Sequence, residues 1–118
     1  MRHGVSVDLS AVEHAPGYRD AVAAAFCLAA QVRTAEEAFT CVNALEVALA
    51  RWDERIVAEP WGMLFIWIVQ ATIGLDDLRY CLRDSSLAAW RGVCDEGLQR
   101  MALAVQIDRE DAECHGPA

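Results

Sequence analysis

Asp76 and Asp77, followed by Arg79, Tyr80, Arg83 and Asp84, are the densest run of chemically capable side chains in the sequence. On a helix Asp76, Arg79, Tyr80 and Arg83 stand at i, i+3, i+4 and i+7 and share one side. Adjacent carboxylates beside arginines suit Mg²⁺ or phosphate chemistry, or an electrostatic handle for a partner. The simpler reading, preferred here, is a solvated helix end with local ion pairs, each contributing roughly 0.2–0.5 kcal/mol. The doublets Glu36-Glu37, Asp53-Glu54 and Asp95-Glu96 carry the same two readings. Taken together, Asp76, Asp77, Asp84, Asp95 and Glu96 are the expected acidic partner surface.

Other catalytic chemistry is thin. The three histidines, His3, His14 and His115, sit in the terminal regions, and no Glu-x-x-His pair of the kind that builds a metal site inside a helical bundle occurs. Cys27, Cys41, Cys81, Cys94 and Cys114 are an odd number without a CxxC, and four fall in apolar helical stretches where a free thiol behaves as a small hydrophobe. Glycine-rich phosphate loops, nucleophile elbows, HExxH and calcium-loop patterns are missing from the sequence. The tryptophans Trp52, Trp61, Trp67 and Trp90 read as core side chains rather than a platform for a flat ligand. No catalytic residue, cofactor or metal is therefore expected.

The net charge of −8 carries no lysine, all ten positive residues being arginine. That bias points to a GC-rich bacterial genome. The acidic balance argues against direct nucleic-acid binding, which needs clustered positive charge, and admits a basic protein partner. Free thiols and an N-terminus without an apolar signal core point to the cytoplasm. At 118 residues the sequence reads as a single domain, 1–118, able to bury roughly two-thirds of its unfolded surface without staples.

The elements that would position these groups are helices. Hydrophobic spacing predicts them over about 17–33, 35–58, 61–83 and 86–108, after an irregular N-terminal arm and before a frayed C-terminal tail starting near Asp108. Thr34-Ala35-Glu36-Glu37 matches a capping box, and Asp84-Ser85-Ser86 supplies another N-cap. Pro60 ends the second helix. Gly92 and Gly97 in the fourth either admit a close neighbour or weaken the helix. Short connections between four amphipathic helices predict an all-α, small antiparallel four-helix bundle.

The third helix breaks the pattern. Its stripe, Trp61, Leu64, Ile68, Ala71, Leu75, Leu78 and Leu82, would fill one core face, yet Met63, Phe65, Ile66, Trp67, Val69 and Ile73 add apolar surface elsewhere. Between Trp61 and Leu75 only Gln70 and Thr72 are polar. A helix apolar on every side is normally buried. A membrane span needs about 20 apolar residues, longer than this stretch. The N-terminal arm folding over the extra face, or a second molecule docking there, would also hide it. Docking is the favoured arrangement, with Met63, Phe65, Ile66, Trp67, Val69 and Ile73 as interface and a twofold homodimer as its simplest form. The expected function is thus a non-enzymatic acidic interaction protein (an inhibitor, immunity factor or adaptor) that binds another macromolecule and self-associates through this helix. The alternative is a small-molecule-binding or enzymatic bundle with a tryptophan-lined pocket near Asp76, Asp77 and Arg79.

Overall fold

The computed structural model describes residues 8–52, 55, 64–84 and 86–114. The chain is all-helical there, with no strand among the described residues. Five helices follow one another: α1 (Ser10–Glu13), α2 (Tyr18–Ala30), α3 (Ala35–Arg51), α4 (Leu64–Arg83) and α5 (Leu87–Cys114). No helix among the described residues is long and apolar enough to cross a membrane.

Local chemistry sets the helix starts. The Thr34 hydroxyl accepts from the Glu37 N–H at 3.1 Å, and the Glu37 carboxylate accepts from the Arg33 N–H at 3.0 Å. The predicted capping box therefore reaches back one residue further than the usual reciprocal pair. The Ser86 hydroxyl accepts from the Ala89 N–H at 3.1 Å and caps α5.

Two expectations change near the chain ends, and one between them: α3 closes at Arg51, with Trp52 as its C-cap and Arg55 in a turn, short of the predicted residue 58. The N-terminal arm is not wholly irregular: Asp8 accepts from the Ser10 N–H and hydroxyl at 3.0 and 2.6 Å, and one helical turn follows. That turn is fastened to the C-terminal end of α3. Val12 is buried, the Trp52 indole N–H donates to the Val12 carbonyl at 3.0 Å, and the Arg55 guanidinium donates to the Glu13 carbonyl at 2.7 Å. The second correction is at the other end, where helix continues through Cys114 instead of fraying from Asp108. Neither glycine nor proline occurs between Gly97 and Gly116, so nothing in the backbone stops α5 earlier.

In the core, α5 lies along α4 and α2, α3 packs on α2 and α4, α2 also touches α4 directly, and α1 rests on α2 and α3. The direct contact between α2 and α4 depends on missing side chains. A Cβ built at Gly74 would stand 2.5 Å from Phe26 Cζ, and one built at Gly97 would stand 2.5 Å from Phe26 Cε1. The tip of the Phe26 ring thus occupies the space that two glycines on different helices leave. Around it the buried line of α4 runs through Trp67, Ala71, Gly74, Leu78 and Cys81, while Ile68, Leu75 and Leu82 are only partly buried. The α4 core face is therefore turned from the stripe that leucine and isoleucine spacing predicts. The Trp90 indole, fully buried, donates to the Ala29 carbonyl at 2.7 Å and joins α5 to the end of α2.

Candidate functional site

With that line facing inwards, α4 presents the opposite side to its surroundings. Val69, Ile73 and Tyr80 follow one another at i, i+4 and i+11 and lie along one stripe. Val69 is partly buried but does not belong to the hydrophobic cluster. Ile73 is 40% exposed and Tyr80 64% exposed. Of the six expected interface residues, Val69 and Ile73 are therefore brought together here. Trp67 lies in the core at 5% exposure, and Ile66 packs against the core. Met63 and the side chain of Phe65 lie outside the described residues. Tyr80 belongs to the same stripe; its spacing from Ile73 marks it, but its place among charged neighbours hid it from an apolar reading.

The charged cluster divides. Arg79 turns to α3, donating to Glu46 through both Nε and Nη2 and to Asn43 Oδ1 at 3.0 Å. This clasp joins two helices and takes Arg79 away from Asp76 and Asp77. Arg83 lies over the Tyr80 ring, its guanidinium carbon 5.8 Å from the centroid, as a cation on an aromatic face. Asp76, Asp84 and Asp95 are exposed and Asp77 is half-buried. These four carboxylates make no ion pair among the described residues. Glu96 differs, since it pairs with Arg100 at 3.2 Å one turn along α5. Elsewhere Glu13 pairs with Arg51, Asp20 with Arg19 and Glu46 with Arg79, while Asp8 and Glu37 are engaged in caps. Among the described side chains, Asp76, Asp77 and Asp84 thus gather unneutralised acid towards the C-terminal end of α4, with Asp95 further along α5.

Thiols form the other grouping. Cys27, Cys41, Cys81 and Cys94 come one each from α2, α3, α4 and α5, all four reduced, with Cys27 exposed and the others buried. Burial pushes the Cys41 thiol up to about 11. Burial pushes Cys94 up to about 12, helped by neighbouring Cys41, Asp95, Cys81 and Cys27. Cys81 is raised by burial and then by the nearby Asp77 and Asp84 carboxylates. Such thiols stay protonated at neutral pH and are poor nucleophiles. Among the described residues no three His, Cys, Asp or Glu are grouped closely enough to hold a metal ion.

Concave surface offers little chemistry. A cavity of about 10 Å³ lies against Phe26 and Gly74, lined entirely by apolar groups; that is roughly the room of a single water with nothing to bond it. A shallow groove of about 310 Å³ between α2 and α5 is lined by Arg19, Asp20, Ala23, Leu98, Met101 and Val105, among others. A second, of about 200 Å³ between α3 and α4, includes Tyr18, Glu46, Ile68 and Thr72. Neither groove includes Asp76, Asp77 or Arg79. Trp52, Trp67 and Trp90 are core side chains, and two of them are anchored through their indole N–H. Comparison with protein families, with curated proteins and with solved structures finds no match.

Proposed function

We propose that the chain is a non-enzymatic, acidic interaction protein of the bacterial cytoplasm. In this reading α2 to α5 form an antiparallel four-helix bundle, and the outer face of α4 docks another macromolecule in the manner of an inhibitor, immunity factor or adaptor. One observation carries the proposal. Val69, Ile73 and Tyr80 share one line on a helix whose opposite side already fills the core, with Ile73 and Tyr80 exposed and Asp76 between them. Apolar side chains grouped in this way mark surfaces that meet a partner. α1 rests mainly on α2 and α3, and Ile73 and Tyr80 stay exposed.

A photo-reactive amino acid placed at Ile73, compared with one at exposed Gln99 on α5, tests the face directly. In cells of the source organism the Ile73 probe forms discrete cross-linked species that the Gln99 probe does not, and Tyr80→Asp abolishes them. Equal yields from the two positions refute the proposal. A second copy of the chain is one possible occupant; it gives a cross-link of twice the chain mass and a light-scattering mass that Ile73→Asp halves.

A further inference from the structure

From the unpaired carboxylates beside the stripe we infer that the outer face of α4 receives a basic amphipathic helix of another protein. The inference rests on the docking role just proposed and names the partner's chemistry.

Length comes first. The stripe from Val69 to Tyr80 spans eleven helical rises, about 17 Å, or three turns. That matches one short amphipathic helix lying along it, a mode in which apolar residues at i, i+3 or i+4 and i+7 are the anchors.

Charge decides between this helix and a second copy of the chain. The stripe is accompanied by Asp76 in line with it and by Asp77 and Asp84 beside it, none in an ion pair among the described residues. Cations are close but otherwise placed: Arg79 is held by Glu46 and Asn43, and Arg83 lies over Tyr80. In a twofold dimer the same patch meets itself. With the axis through the middle of the stripe, Asp76 would then stand near its symmetry mate, while both chains carry −8. Two like charges 4 Å apart repel by about 1 kcal/mol even at the permittivity of water, and more where water is excluded. A helix with leucines on one face and arginines along its borders offers counter-charges to Asp76, Asp77 and Asp84, against the single like charge of Arg83 over Tyr80.

Two synthetic peptides of about 15 residues test this, with the same leucine and arginine composition. One places leucine at helical spacing, and its isomer distributes leucine around the helix. Binding is followed by titration calorimetry and by amide chemical shifts of the full chain. The amphipathic peptide is expected to bind at least tenfold more tightly than its isomer and to move amides of residues 69–84 before others. Ile73→Asp and the triple variant Asp76→Asn/Asp77→Asn/Asp84→Asn should each weaken binding tenfold or more; Ile73, Asp76 and Asp84 are exposed and Asp77 is half-buried, and an unchanged far-UV spectrum and melting temperature show that each variant is folded. Equal binding of both peptides, shifts centred elsewhere, or no binding overturns the inference. If the peptide fails while the Ile73 cross-link persists, the docking face stands and its occupant is a second copy or a partner of other chemistry.

Discussion

Gly92 and Gly97 lie five residues apart on α5 and have opposite surroundings. A Cβ at Gly92 would meet nothing within 4 Å, whereas one at Gly97 collides with the Phe26 ring. The ring cannot retreat from Gly97 because Gly74 bounds it through the same Cζ and Cε1 atoms. Gly92→Ala should therefore stabilise the protein by up to about 1 kcal/mol through helix propensity alone. Gly97→Ala and Gly74→Ala should destabilise it by roughly 1–3 kcal/mol through overpacking. Chemical denaturation of the three variants checks the sign at each site. Sequence reasoning left both readings open for the α5 glycines, since only the identity of the facing side chain separates them. It also passed over Phe26 itself, because nothing in the sequence around residue 26 shows that two distant glycines make room for it.

At the scale of elements, helix caps and amphipathic periods were legible, and helix ends less so. Thr34 and Ser86 cap as their types suggest, since capping depends on neighbours three residues away. The turn at Ser10–Glu13 was missed because its support is non-local: Trp52 and Arg55 bond its carbonyls from 40 and 42 residues away. Replacing Trp52 by phenylalanine keeps much of the apolar volume and removes the indole donor, leaving the Val12 carbonyl in a buried setting without it. The expected cost is about 1–3 kcal/mol. Amide exchange should show faster opening of residues 10–14 in this variant, with α4 and α5 affected least. Uniform loss of protection would mean that α1 is an integral part of the global folding unit rather than a latch on α3. For the outer face of α4, a surplus of apolar residues was legible, but Trp67 and Ile66 were expected on the outside. Gly74 and Ala71 explain the difference: small residues draw α2 against that side of α4 and turn Trp67 inwards.

For the whole molecule, the buried thiols tie folding to alkaline pH. Folded Cys41 and Cys94 have pKa values raised to about 11 and about 12. An unfolded thiol ionises near 8.5. A raised value means that the fold favours the protonated form, so this contribution to stability is fully present below about pH 8.5. It declines as pH rises towards 11–12, where the unfolded chain alone gains by ionising. Melting temperature should fall steeply from about pH 9 upwards, and Cys41→Ala/Cys94→Ala should flatten that slope while lowering stability at neutral pH through lost packing. A slope unchanged in the double variant would show that the thiols do not govern alkaline unfolding. In the native protein at pH 7, a thiol-reactive dye should label exposed Cys27 well before the three buried cysteines.

The way Phe26 is seated also constrains how this chain can drift. One aromatic ring on α2 and two vacancies, on α4 and α5, divide a fixed volume among three positions distant in sequence. Adding bulk at either vacancy clashes with the ring, and shrinking the ring first opens a hole. Acceptable exchanges are therefore concerted, a smaller side chain at 26 arriving together with alanine at 74 or 97. Relatives of this protein should vary at these sites as a trio, each retaining nearly the same summed volume.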